Sequence, residues 1–334
     1  MRIWMPTIAT GTGAEVYVRR LAEGLVARGH CVDLDVVAHR YQYAPWLAGI
    51  APCAGTDVIL ANSWSAAAFA GPAPLVTVLH HVVHDPALAG HKTHLQALFH
   101  RGFVKPMELA AIRRSTRIVA VSETSAASVR AHLADVPLQV VLNGIDTEFF
   151  QPGESAPQAD PARPMNLLFV GKPSRRKAFD TVAAIVERMG ADCRFTCVGP
   201  EPEPGLRLPH GDYRGRVSRE DLREAYRAAD VLLMPSHLEG FGYAAAEALA
   251  CGLPVACVAG GAVAEVVDPP RCGLAVAGGD ADAFVAGLRA IRAAPESHRA
   301  MRAAARQRAV QHLDEARWID GMERVLAEAA RARP

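Results

Sequence analysis

The sequence lacks an excess of charge of either sign: 36 Lys and Arg stand against 35 Asp and Glu in 334 residues. A dedicated nucleic-acid binder carries a basic surplus, so no nucleic-acid partner is expected. Cysteine is scarce and scattered, seven residues without one Cys-x-x-Cys pair. That spacing argues against a disulfide scaffold or a structural zinc site and for a reducing compartment. An unbroken apolar run of membrane-spanning length is missing too. Residues 58–79 carry no charge, but Asn62, Ser63, Ser65, Gly71, Pro72 and Pro74 interrupt them, which suits two strands around a helix. No signal-peptide core precedes Glu15, so the expected location is cytoplasmic. What the chain has instead is apolar bulk. Half of it is hydrophobic and 21% is charged, ample for the two domains its length suggests and too apolar for disorder.

Strand-like runs alternate with helical patterns. Strands are predicted at 2–5, 31–37, 57–61, 74–79, 117–121, 138–142, 166–171, 193–198, 230–234, 253–258 and 272–276. Val18, Leu21 and Leu25 share one face of a helix over 14–28 that Gly29 stops. Near-continuous Val/Ile/Leu strands separated by helices predict parallel sheets covered on both faces. Four prolines, Pro152, Pro157, Pro161 and Pro164, mark a linker. The expected fold class is therefore α/β: two Rossmann-like, doubly wound parallel-sheet domains, residues 1–155 and 165–312, facing a central cleft. A last helix within 313–334 places Trp318, Met322, Val325 and Ala329 on one stripe and is expected to pack back on a domain surface. In open parallel sheets ligands bind beyond the carboxyl ends of the strands.

Three segments at such ends carry chemistry. Gly11 and Gly13 let backbone amides approach an anion at a helix N-terminus, although an ordinary glycine turn has the same residues. After Gly171, the cations Lys172, Arg175, Arg176 and Lys177 crowd into six positions. A solvated loop could carry them, but at a strand end they suit a diphosphate. The third segment runs from Glu239 through Gly240, Phe241 and Gly242 into an alanine-rich helix near Tyr243, with Glu247 eight positions after Glu239. Paired carboxylates beside exposed amides can grip a polyol and an anion together.

Six of the 13 histidines lie at 80, 81, 84, 91, 94 and 100. His80 follows a strand directly. His81, His84 and Asp85 could supply metal ligands, but partly exposed loop histidines fit the same text. Between 92 and 117, six Lys or Arg face only Glu108, with Leu95, Leu98, Phe99, Phe103 and Val104 interleaved. This is either an interfacial helix drawn to anionic lipid or a surface helix with its apolar side in the core.

Taken in order, these segments resemble the retaining family-4 glycosyltransferases of GT-B fold. The pattern E-GFG-x4-EA is similar to that family's paired-glutamate hallmark, GTGAE to its first glycine loop, and VGKPSRRKAFD to its phosphate segment. RIVAVSETS, VVLNGIDTEFF and RGRVSREDLREAYRAADVLLMPS match the text between them. The resemblance covers almost the whole chain. It implies transfer of a hexose-type sugar from a UDP- or GDP-sugar, GDP-mannose among them, to an acceptor hydroxyl with retained anomeric configuration. Cell-envelope polysaccharide or glycolipid synthesis is the implied setting.

The resemblance also implies roles. Lys172 and Lys177, with Gly171 and Arg176 in the same segment, would neutralise the donor diphosphate beside the Gly13 amide. Glu239 and the amides of Gly240, Phe241 and Gly242 would hold the donor sugar, Glu247 the ribose hydroxyls, and the Gly215–Val217 loop the base. His80 would stand near donor sugar and acceptor, with Thr12, His81 and His84 on the acceptor side. Lysines then replace a metal, so no metal and no cofactor are expected. Lys172 stands where the family usually has Arg, and Ala178 where Gly is common. Because many family members act on lipid-linked acceptors, residues 92–117 are expected to touch an anionic membrane surface peripherally. The competing readings are a nucleotide-sugar epimerase of the same fold and a non-catalytic sugar- or nucleotide-binding protein.

Overall fold

The computed structural model describes residues 1–154, 160–236 and 238–332, and the apolar runs form two six-stranded sheets. In the first, β1 (Arg2–Ile8), β2 (Cys31–Val37), β3 (Val58–Asn62), β4 (Leu75–Leu79), β5 (Arg117–Ala120) and β6 (Gln139–Val140) take the order β2-β1-β3-β4-β5-β6. In the second, β7 (Met165–Val170), β8 (Cys193–Val198), β9 (Asp212–Tyr213), β10 (Val231–Met234), β11 (Val255–Val258) and β12 (Gly273–Val276) take the order β12-β11-β10-β7-β8-β9. Every pairing between them is parallel. All five residues of β3 and of β4 are buried, as central strands with helices on both faces require.

Helices connect the strands. The first sheet carries α1 (Gly13–Ala27), α2 (Ser63–Phe69), α3 (His94–Phe99), α4 (Lys105–Arg114) and α5 (Glu123–His132). The second carries α6 (Phe179–Met189), α7 (Arg219–Ala228), α8 (Tyr243–Ala250), α9 (Ala262–Val267), α10 (Ala281–Ala293) and α11 (Pro295–His312). Its core gathers Leu167, Phe169, Phe179, Phe195, Leu233 and Phe284, with the Phe169 and Phe179 rings edge to face at 5.0 Å. Among the described residues no helix is long and apolar enough to cross a membrane.

The chain divides into two compact units, Met1–Gly144 together with the C-terminal helix from Glu315, and Ile145–Asp314. The division falls ahead of the proline-rich run because Ile145 already pairs with the end of its own unit. Its N–H donates to the Leu313 carbonyl at 2.8 Å, and Ile145 forms a parallel bridge with Asp314. Within the run, residues 155–159, with Pro157, lie outside the described residues.

The C-terminal helix α12 (Glu315–Arg331) belongs to the first unit. Trp318, Met322, Val325 and Ala329 are buried, and the Trp318 ring sits 4.9 Å from that of Tyr17 on α1. Arg20 meets Glu315 at 2.7 Å and Arg28 meets Glu323 at 2.9 Å. Burying each large apolar side chain contributes about 1.5–3 kcal/mol, whereas partly exposed ion pairs contribute about 0–1 kcal/mol. The stripe therefore anchors the helix, and the ion pairs set its register.

The basic stretch 92–117 is not one helix. A capping box at Thr93 starts α3, a π-helical turn over His100–Val104 follows, and α4 resumes the α-helix. Most of its cations are tied to the protein's own carbonyls: Lys92 to Val83, Lys105 to His132, Arg114 to Ala67 and Arg117 to Thr116. Glu108, the lone acid, is buried.

Candidate functional site

In the second unit, the ends of β7, β8 and β9 meet through glycines. Gly171, following β7, has φ +127°, and Gly199, following β8, has φ +153°. A Cβ on Gly199 would fall 2.1 Å from the Gly171 carbonyl oxygen, so this close approach excludes any side chain there. The Gly199 N–H donates to the Gly215 carbonyl at 2.9 Å. Over this floor lies Lys177, whose Nζ would be 3.2 Å from a Cβ on Gly171.

Lys177 Nζ stands 3.2 Å from Glu239 Oε1, both side chains retaining under a fifth of their exposure, 18% and 15%. That oxygen accepts no well-formed hydrogen bond among the described residues, so it keeps acceptor capacity. Three residues on, Gly242 (φ +96°) is the N-cap of α8 and supplies no side-chain cap. The helix therefore begins without a side-chain cap from this position, a setting that favours anions. A Cβ on Gly242 would press within 3.2 Å of Val263 and 3.3 Å of Met234. Phe241 is buried and stacks edge-on to Tyr243 at 5.3 Å, so its ring belongs to the core.

Glu247 lies on the first turns of α8 and is oriented by a partner that the sequence does not reveal. The Tyr226 hydroxyl on α7 donates to Glu247 Oε2 at 2.9 Å. Burial, then the charge of Glu247, hold the Tyr226 phenol well above its ordinary range, so it remains a donor. One carboxylate face is fixed in this way. The other three cations of the phosphate segment stand differently. Lys172 is exposed and faces Glu203 at 3.7 Å; Arg175 and Arg176 are exposed. Only Lys177 among the four pairs with Glu239. Ala178 adopts a left-handed conformation, φ +50° and ψ +43°, which accounts for the glycine common there in the similar family. Gly215 is left-handed and exposed, and Val217 half-buried next to the Ser218 cap of α7.

In the first unit, β1, β3 and β4 end around a pocket of 320 Å³ lined by Thr10, Thr12, Asn62, His80, His81 and Glu108 among others. His80 Nε2 lies 3.0 Å from Asn62 Oδ1, and its ring meets Tyr17 edge to face at 4.9 Å. Burial, helped by the neighbouring His81, pushes its pKa down to about 3, so it is neutral at physiological pH. Thr12 Oγ1 lies 2.7 Å from Thr10 Oγ1 and does not cap α1. The glycine loop differs from expectation at one amide. Glu15 Oε2 accepts the N–H groups of Thr10 at 3.0 Å and Gly11 at 2.9 Å, so Gly11 is already occupied. Those bonds, Gly11 first and then Arg19, lower the Glu15 carboxyl. Gly13, exposed at the first position of α1, takes no part in them.

The histidine cluster separates. His84 Nε2 lies 3.2 Å from Glu108 Oε2, and Asp85 accepts the Ser128 hydroxyl at 2.7 Å, so these two face different partners. His94 is exposed, His100 lines the pocket, and the His91 side chain lies outside the described residues. Glu108, absent from the expected site, is the acid that organises this pocket. Its solitary place in a basic stretch was the available signal.

A family model described as Glycosyltransferase Family 4 matches residues 33–149, and one described as Glycosyl transferases group 1 matches residues 164–293. The D-inositol 3-phosphate glycosyltransferase of Nocardiopsis dassonvillei is 31% identical over 243 residues, 64% of this chain and 56% of that protein. The protein of the same name from Mycobacterium marinum is 32% identical over 237 residues, 64% and 50%. The chain spans about half the length of the curated relatives it matches. Sucrose-phosphate synthase from Thermosynechococcus elongatus superposes with a TM-score of 0.82 at 21% identity, covering 99% of this chain and 100% of that one. Anabaena HepE, solved in complex with UDP and glucose, gives 0.75 at 18%, covering 98% and 100%. At such identities the likeness is one of fold, and with the two parallel sheets it makes this a two-domain α/β GT-B fold.

Proposed function

Because the chain belongs to the family-4 glycosyltransferases, we propose that it moves a hexose-type sugar from a nucleoside-diphosphate sugar to an acceptor hydroxyl with retained configuration. The observation that carries this reading is the Lys177–Glu239 pair at 3.2 Å beside the uncapped N-terminus of α8. A cation, a carboxylate with spare acceptor capacity and an uncapped helix N-terminus meet the needs of a phosphate and a polyol at one place.

The second unit binds the donor. Lys177 neutralises the diphosphate, with Lys172 and Arg176 able to swing from solvent towards it. Glu239 and the amides of Gly240, Phe241 and Gly242 hold the sugar, Glu247 takes the ribose hydroxyls, and the Gly215–Val217 loop meets the base of a UDP- or GDP-sugar. In the first unit, the Gly13 amide suits a phosphate oxygen and His80 a sugar or acceptor hydroxyl. The bond from the anomeric carbon to the phosphate oxygen breaks, and a bond to the acceptor oxygen forms on the same face. The acceptor proton passes to the leaving diphosphate, so no side chain becomes a covalent nucleophile. Fixed positive charge at the leaving group stabilises its developing charge, and with lysine supplying that charge the reaction needs no metal.

Incubation with UDP-, GDP- and ADP-sugars plus candidate acceptors, with and without EDTA, tests this. Release of free nucleoside diphosphate only with acceptor present, unaffected by EDTA, is expected. An altered free sugar nucleotide without acceptor identifies an epimerase, and binding without turnover a non-catalytic protein.

A surface reading accompanies it: the first unit sits peripherally on the inner face of an anionic membrane. Tyr43, Trp46, Leu47, Leu95 and Leu98 are exposed, and Tyr43 packs on Phe99 at 5.7 Å. Aromatic and aliphatic side chains, with exposed Arg101 three residues from Leu98, form an interfacial face. Sedimentation with anionic but not neutral vesicles is expected; equal, negligible binding to both removes the idea. An acceptor in glycolipid or envelope polysaccharide synthesis would suit that face.

A further inference from the structure

We propose that the pocket of the first unit takes an uncharged polyol or sugar ring as acceptor and disfavours one that brings a phosphate into it. The inference rests on the glycosyltransferase reading and names the acceptor class for it.

The pocket's 320 Å³ lies at the small end of ligand sites, roughly 300–1,000 Å³, a fit for a single ring. No Lys or Arg lines it among the described residues, and Glu108 is the one carboxylate that does. That carboxylate is 2% exposed and accepts the Ser63 hydroxyl at 3.0 Å, with His84 at 3.2 Å. A carboxylate has about four lone-pair sites, so Glu108 can still accept from a hydroxyl but repels a phosphate.

Carboxylates also stand at two approaches to the pocket: Glu15 takes the Thr10 and Gly11 amides ahead of α1, and Glu108 takes the Ser63 hydroxyl at the start of α2. Lys92 donates to the carbonyl of Val83, a lining residue. Neutral hydroxyl partners remain. His100 Nδ1 is buried without a hydrogen-bond partner among the described residues, and burial holds that histidine towards its neutral form. Trp64 and Phe99 also line the pocket and offer apolar surface to the C–H face of a ring. The relatives are named for D-inositol 3-phosphate; this pocket is built for the unphosphorylated kind of molecule.

Titration calorimetry on the full chain with UDP or GDP present, using myo-inositol, D-inositol 3-phosphate, glucose and glucose 6-phosphate, tests the proposal. Each neutral compound is expected to bind at least tenfold tighter than its phosphorylated counterpart. Glu108→Gln should narrow that gap threefold or more, chiefly by admitting the phosphate. Equal or tighter binding of the phosphorylated compounds overturns the inference, as does binding of neither class. The wild-type ratio decides even if the variant folds poorly. Nucleotide binding, followed in parallel by thermal shift, separates the two levels. Its loss undoes the glycosyltransferase reading, while its persistence with a preference for phosphate undoes only the acceptor class.

Discussion

Ala178 holds a backbone conformation, φ +50°, that its methyl group opposes by about 1–2 kcal/mol. Removing the methyl forfeits about 0.8 kcal/mol of burial, so Ala178→Gly should be neutral or stabilising by up to about 1 kcal/mol in urea unfolding. A clear loss of stability would contradict the strain. Lys177→Ala and Glu247→Ala should each lower donor turnover at least tenfold, assayed as nucleoside diphosphate released, with unchanged circular dichroism. His80→Ala should reduce transfer to acceptor while leaving nucleotide affinity nearly intact. His80 also has a pH signature. Below about pH 6.5 the unfolded chain binds a proton that folded His80 refuses until about pH 3. Stability therefore falls as pH drops through that window. Thermal unfolding from pH 7 to 4 should show a shallower acid limb in His80→Ala than in the wild type. Lys177 and Glu239 both follow strand ends in the sequence, and the structure pairs them. Tyr226, which orients Glu247, and Glu15, which occupies the Gly11 amide, were not legible, because neither pairing leaves a periodic trace in the text.

Among the elements, the strands were the most legible. β2 and β8 take the predicted limits, since unbroken Val, Phe and Cys alternation leaves no other reading, while β9 escapes notice because two residues carry no pattern. The basic stretch shows a limit at this scale: charge counted along the chain does not reveal that Lys92, Lys105 and Arg114 donate to nearby carbonyls. The stripe on α12 was readable, but its seat on α1 was not. Gly24 makes room for Ile319, whose Cδ1 would be 2.2 Å from a Cβ there. Trp318→Ala should cost about 3–5 kcal/mol in urea unfolding, more than removal of any single ion pair on the same helix. A loss under about 1 kcal/mol would place the anchor in the ion pairs instead.

For the whole molecule, alternating strands and helices announced two parallel sheets, and composition put the division in the proline-rich run. The structure moves it to Gly144–Ile145, because a bond between Ile145 and Leu313 outranks local composition. Residues 145–314 have their own sheet and core, so that fragment should fold alone and bind a nucleoside diphosphate, seen as a raised melting temperature. Residues 1–144 should aggregate unless 315–334 are supplied, which light scattering would follow. Ile145 and Asp314, where the chain enters and leaves this fragment, lie side by side. A segment joined to its host at one point can be exchanged without rethreading either core. Recombination at two short sites would thus replace residues 145–314 as a cassette, and under the proposed function donor preference and acceptor preference would be inherited separately.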